Sequence, residues 1–254
     1  PGYSEPEEVE TEKKCLKSHT DKDCGYIHQK RKKGLGYLME MTVDTKHGII
    51  TGVDCYPANK RKSDIILEHL KNQPCRYQKI ALDAGYDIGA VHRGLELLDI
   101  DGYTAVREYQ NNAMKKGFLY DEQKDAFICR QGKYLRFQKL IYKKSSQNYY
   151  RLYIRSRKQC KECPMFSACA TDLGTVRINA SAYYPSFYRN NQKVRSPEYL
   201  KVMRLRQIWA EGTFTVLKRE YKLNKIQKRG IQKATEECLL SATALNLKRL
   251  VKAV

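Results

Sequence analysis

The sequence predicts an α/β fold, with strands alternating with helices so that a sheet carries helices on its faces. Three observations predict it. Residues 36–44 and 49–55 have strand composition and are joined by a short turn ending in Gly48, the pattern of an antiparallel hairpin. A helical pattern, a short apolar strand, a second helical pattern and another strand then follow in order between Ser63 and Arg107. From Pro197 onward the pattern is helical.

Taken in order, residues 1–33 are polar and charged with no apolar period. They read as a mobile arm or linker, or equally as an ordered loop wrapping the domain. Order is expected to begin at Leu35. Ser63 is a good N-cap with Asp64 in the first turn. Ile65, Ile66, His69 and Leu70 fall at helical spacing, and Pro74 lies past the end. Residues 79–82 form a short apolar strand that ends at Asp83-Ala84-Gly85-Tyr86-Asp87. A second helix is expected over roughly 88–98 and a strand over 102–107. Residues 108–196 are rich in Tyr, Lys, Arg and Gln, with strand-like runs at 126–129 and 149–153 and a cysteine cluster. They predict an insertion with its own small fold. One helix over roughly 197–221, broken somewhere inside, and another over 233–251 complete the chain. The expected organisation is an arm at 1–33, a core made of 34–107 and 197–254, and an insertion at 108–196, with no internal repeat.

Charge narrows the function classes. Lys and Arg number 48 against 28 Asp and Glu, a net charge of +20. Like charges repel in a compact chain, and a basic field attracts phosphate backbones, so nucleic acid is the first partner to expect. A membrane is disfavoured: the sequence has no apolar run near 18 residues and no basic amphipathic anchor. Nine cysteines with no signal-peptide pattern point to a reduced, cytoplasmic setting, where clustered thiols suggest metal rather than disulfides.

Two carboxylates stand in informative places. Asp83 ends an apolar strand just before Gly85, where ligands sit in open α/β sheets. Glu211 lies in a helical pattern between Trp209 and Phe214, so a partly buried position is expected for it. Lys218 follows two turns later on the same face. Each acid also has a plain explanation, Asp83 as a turn residue and Glu211 as a surface carboxylate on a charged helix.

These residues resemble motifs of bacterial insertion-sequence transposases with a DDE triad. Ala81-Leu82-Asp83-Ala84-Gly85-Tyr86 resembles the strand-end Asp-x-Gly-Tyr motif of the second acid. Glu211 through Lys218 resembles the Glu-x6-Lys arrangement of the third. The hairpin from Leu35 to Ile50 looks like the one before the second acid, and Thr243 to Leu250 looks like the family's terminal helix. The likeness runs from about residue 20 to the C-terminus. It is nearest to the insertion sequence 1182-like group, which carries a cysteine-bearing insertion between the second and third acids.

The resemblance implies a ribonuclease H-like mixed sheet with flanking helices and a Cys-bearing insertion before the last helices. It implies a metal-dependent phosphoryl transfer that cleaves and joins DNA. Asp83 and Glu211 are the expected catalytic ligands of Mg²⁺ or Mn²⁺, since such hard ions take carboxylate oxygens. Lys218, Arg204, Arg206 and Arg107 are the expected DNA-binding residues. The partners implied are transposon ends and target DNA, with homo-oligomers by family analogy and no membrane, in a bacterial cytoplasm close to the nucleoid.

The sequence also departs from the family. No strand for the first Asp is found: Asp21 and Asp23 lie in a polar stretch, and Asp44 and Asp54 read as turn and strand-end residues. The first acid is therefore expected upstream of Pro1, which would leave this chain incomplete and inactive or nearly so. Gln207 stands where an Arg is expected before the third acid. Cys129, Cys160, Cys163 and Cys169 leave two readings open, a structural Zn²⁺ or separate thiols. Two further functions stay open beside a transposase: a non-catalytic zinc-stapled DNA-binding protein, and a ribonuclease H-like nuclease.

Overall fold

The computed structural model describes residues 16–29, 32–106, 117–146, 148–169 and 175–253. In chain order the strands are β1 (Gly25–Gln29), β2 (Lys32–Val43), β3 (Ile50–Pro57), β4 (Lys79–Leu82), β5 (Asp101–Thr104), β6 (Leu119–Asp121), β7 (Ala126–Ile128), β8 (Tyr134–Lys143), β9 (Asn148–Arg155) and β10 (Val176–Ser181). The helices are α1 (Lys62–Asn72), α2 (Gly89–Leu97), α3 (Arg157–Cys160), α4 (Phe166–Cys169), α5 (Tyr184–Lys193), α6 (Pro197–Arg206), α7 (Gly212–Arg219) and α8 (Ile231–Ala253). The chain forms two compact units, one of residues Pro1–Arg61 with Trp209–Val254 and the other of Lys62–Ile208.

In the first unit β1, β2 and β3 make an antiparallel sheet. Among the described residues the first strand thus begins at Gly25, within the segment expected to be an arm. β1 pairs with the first half of β2, Gly25 opposite Gly36 and Gln29 opposite Lys32. The β2–β3 turn is an Asx turn: the Asp44 carboxylate accepts from Lys46 N at 3.1 Å and from His47 N at 2.6 Å. Gly48 closes it at φ +73°, the left-handed region that favours glycine.

The core of this unit lies between β3 and the last helices. Ile50, Val53 and Cys55 meet Leu217 of α7 and Ala234, Cys238, Ala242 and Leu245 of α8. The α8 positions recur at helical spacing, and three of the four are small, so the helix packs close to the sheet. Asn246 binds the edge of β3 as a further strand would. Its Oδ1 accepts from Ile50 N at 2.8 Å and its Nδ2 donates to Ile50 O at 2.9 Å.

The second unit holds a parallel pair and a five-stranded antiparallel sheet. β4 runs parallel to β5, Lys79 opposite Asp101 and Leu82 opposite Thr104, with α2 as the crossover between them. α1 begins at Lys62, so Ser63 lies inside the helix rather than at its N-cap, where its hydroxyl donates to Asp64 Oδ1 at 3.0 Å; the buried residues are the expected Ile65, Ile66, His69 and Leu70. Ile66, Leu70, Leu82, Val91, Leu95 and Ile100 form one core. A Cβ on Gly94 would lie 2.4 Å from Leu67 Cδ1, so this glycine lets α1 and α2 approach.

The five strands run β10-β9-β8-β7-β6, more strand than the two short runs expected from sequence. Their core is aromatic: Phe118, Tyr120, Phe127 and Tyr153 pack with Tyr184 of α5. α5 ties this sheet to the parallel pair. Arg189 grips Glu96 of α2 through Nε–Oε1 at 2.6 Å and Nη2–Oε2 at 2.7 Å, and Ser186 donates to the same carboxylate at 2.8 Å. The architecture is mixed α/β, with the described strands in three sheets.

Candidate functional site

Asp83 stands immediately after β4, exposed, where the parallel pair ends. The helical turn Ala84–Tyr86 begins on it: its carboxylate accepts from Gly85 N, and its carbonyl accepts from Tyr86 N at 3.0 Å. A Cβ on Gly85 would lie 2.6 Å from Asp83 Oδ1 and 2.7 Å from Lys62 Nζ. A side chain at 85 would collide with both, so the space over this glycine is filled by the Asp83 carboxylate and the Lys62 ammonium. Lys62 also sits 5.1 Å from the Tyr86 ring centroid. Behind the turn, the buried Asp87 carboxylate accepts from His92 Nε2 at 3.0 Å, which anchors the loop to α2. Lys62 escaped the sequence reading. It stands 21 positions before Asp83 in a basic run, and only the packing of α1 on the strand-end turn brings the two together.

Glu211 ends a π turn, Gln207–Glu211, that breaks the helix expected over 197–221 and leads into α7. Such turns are rare and often mark functional positions. Glu211 is exposed, contrary to the partly buried position expected. The inward positions here are Thr213 and Leu217, four apart, and Glu211 is off that face. The start of α7 is held firmly. Arg249 of α8 donates to Thr213 Oγ1 at 2.8 Å and to the Gly48 carbonyl. Trp209 covers the hairpin turn so closely that a Cβ on Gly48 would lie 2.3 Å from its ring. Burial holds the Arg249 guanidinium somewhat below its ordinary pKa.

Asp83, Arg204 and Arg206 belong to the unit of Lys62–Ile208, and Glu211 and Lys218 to the other. Lys218 is exposed on α7, with its ammonium 5.5 Å from the Phe214 ring centroid. Arg204 is exposed and Arg206 half-buried on α6. Arg107 lies outside the described residues.

Three acids weighed as a first ligand have structural tasks. Asp21 accepts from the Tyr37 hydroxyl at 2.6 Å, Asp23 accepts from Ile231 N at 3.0 Å at the start of α8, and Asp44 builds the hairpin turn. Cys160 is buried in the aromatic core, with Cys129 and Cys169 packed against that core. Among the described residues no group of three or more His, Cys, Asp or Glu is placed to hold a metal ion. These cysteines serve as small apolar residues. Also among the described residues, no helix is long and apolar enough to cross a membrane.

No curated protein and no solved structure matches the chain. Residues 128–251, just under half of it, match the family model of the transposase DDE domain. The matched stretch runs from the end of β7 to α8 and contains Glu211 and Lys218; Asp83 precedes it. Such a domain implies a polynucleotidyl transferase that takes DNA as substrate, and the second half of this chain is similar to it, which supports a DDE transposase.

Proposed function

We propose that the protein is a DDE transposase of the insertion sequence 1182-like group, with a ribonuclease H-like catalytic core. It cleaves and joins DNA by metal-dependent phosphoryl transfer, with Asp83 and Glu211 as carboxylate ligands. The observation that carries the reading is the transposase DDE domain match, which spans Glu211 on its π turn. The donor chemistry fits. Asp83 and Glu211 are both exposed carboxylates, and hard divalent ions such as Mg²⁺ or Mn²⁺ take oxygen ligands and keep several waters. A bound pair of such ions supplies an activated nucleophile and a stabilised leaving oxygen.

The chain's own residues do the remaining work. The Asp83 carboxylate is exposed and so accessible at the strand end. The Lys62 ammonium offsets its charge and offers a phosphate contact. The Asp87–His92 pair keeps the loop from shifting when ligands bind. Lys218 is a phosphate contact, with its side chain exposed on α7. Arg204, Arg206 and Arg107 extend the phosphate-binding surface, and the partners are transposon ends and target DNA held by a homo-oligomer.

The test is cleavage and strand transfer on labelled element-end duplexes with Mg²⁺ or Mn²⁺. Asp83→Ala and Glu211→Ala should each lower the rate by at least about 1000-fold, roughly 4 kcal/mol of barrier, with unchanged circular dichroism. Full activity in either variant overturns the assignment of that acid.

A further inference from the structure

A dense run of positive charge lies between the two candidate acids in the sequence. From Ala126 to Lys161 the sequence has eleven Lys and Arg and no Asp or Glu. This stretch of the chain thus carries more than half of the net +20. Its middle forms the β8–β9 hairpin, which continues beyond the sheet. β7 pairs with β8 only as far as Arg136, and β10 pairs with β9 only as far as Tyr150. Past Arg136, β8 is therefore an edge strand backed by β9 and β10, and only Tyr142–Lys143 with Asn148–Tyr149 form a two-stranded tip.

The burial pattern is that of an open edge strand leading to a projecting tip. A strand lying on a core alternates buried and exposed residues. In β8 the five residues from Arg136 to Leu140 are all exposed, so both faces meet solvent. Basic residues further in are committed to the fold. Arg151 pairs with Asp125, and Arg155 donates to the Tyr134 carbonyl at 3.2 Å. Among the described residues no salt bridge reaches Arg136, Lys139, Lys143 or Lys144. At the far end Tyr142 and Tyr149 face each other across the strands with ring centroids 5.0 Å apart, each about half exposed.

Lysines on an edge strand can simply discourage strand-to-strand aggregation. Carboxylates would do that equally well, and none is present. Exposed tyrosines and a leucine at 52% exposure oppose that purpose. We propose that the β8–β9 ribbon is a docking surface for duplex DNA. Arg136, Lys139, Lys143 and Lys144 hold the phosphates, and the Tyr142–Tyr149 pair packs on sugars or base edges in the groove. The two-stranded tip of such a ribbon fits the major groove of B-form DNA, about 12 Å wide. Phosphate contacts set affinity and its dependence on salt. This site rests on the reading that the protein acts on DNA, and it adds a contact separate from the carboxylates and from Lys218.

The experiment is a titration of a short labelled duplex with the full chain by fluorescence anisotropy, across about 50 to 200 mM salt. The triple variant Lys139→Ala, Lys143→Ala, Lys144→Ala should weaken binding tenfold or more. It should also reduce the slope of log affinity against log salt by about three, near one per phosphate contact. The control Lys46→Ala, Lys71→Ala, Lys252→Ala removes equal charge from exposed positions elsewhere and should leave the slope near wild type. Tyr142→Leu with Tyr149→Leu should weaken binding with the slope unchanged. Circular dichroism and melting verify the fold of each variant. Wild-type affinity and slope in the ribbon triple variant overturn the site while leaving the transposase reading standing. Loss of binding to anionic vesicles but not to duplex also overturns it, in favour of a membrane surface. A wild-type chain that binds no duplex at low salt removes both readings.

Discussion

Asp125 shows how much one side chain can hold in this molecule. It sits at φ +43°, a conformation that Asp and Asn tolerate better than most residues. Its Oδ1 accepts from the hydroxyls of Tyr120 and Tyr153, both at 2.7 Å, and Arg151 donates to Oδ2. Burial pushes this carboxyl up, but the two hydroxyls and the guanidinium outweigh burial, and its pKa lies below the ordinary value. Burial, together with Asp125, pushes the Tyr153 hydroxyl up to about 12. A lowered carboxyl pKa gives stability that is present above the unfolded value, near 3.9, and is lost as pH falls through the folded value. A raised hydroxyl pKa gives stability present below about 10 and lost as pH rises toward about 12. Asp125→Asn keeps the shape and the backbone tolerance but loses the charge. Urea unfolding at pH 7 should show a loss of about 2 kcal/mol, and the difference from wild type should shrink below pH 4. A constant difference down to pH 2 would mean that the charge of Asp125 is not what stabilises the network.

Among the elements, α8 illustrates the limits of periodicity. Its apolar residues occupy two faces. Ala234, Cys238, Ala242 and Leu245 are buried, while Leu239, Leu240, Leu247, Leu250 and Val251 are exposed. Pattern alone detects a helix here and cannot say which face is inside. Packing against β3 decides it, because small residues permit close approach and Asn246 reaches the backbone of Ile50. Asn246→Ala leaves a buried N–H and carbonyl of Ile50 without this partner. It should cost about 1 to 3 kcal/mol in denaturant unfolding, and an effect below about 0.5 kcal/mol would show that water or another group replaces the amide. The hairpin, α1, β4 and α2 were legible within a few residues because each has both a periodic apolar pattern and a boundary signal. β8 was not. Its exposed run Arg136–Leu140 does not alternate, and this open edge lacks the one-sided burial that makes a strand visible in a sequence. β1 hid in a polar segment because its order comes from pairing with β2.

At the scale of the whole molecule, net charge is the dominant quantity. A chain of +20 repels itself when compact, and salt screens that repulsion within about 10 Å at 0.1 M. The melting temperature should therefore rise between 20 and 300 mM sodium chloride, and short duplex DNA should raise it further at low salt. A melting temperature that falls with added salt would show that favourable ion pairs, such as Arg189 with Glu96 and Glu122, outweigh the repulsion.

The order of strands and helices from β2 to β5, the basic character and the two candidate acids with their flanking motifs were all readable in one dimension. They depend on local spacing and on composition, which the linear order preserves. Three features belong to the tertiary structure alone. They are the Lys62 ammonium beside Asp83, the exposure of Glu211 on its π turn, and the burial of Cys160 in an aromatic core. Each is set by contacts between residues far apart in the chain, or by which face of an element packs inward. Spacing along the sequence does not encode either of these.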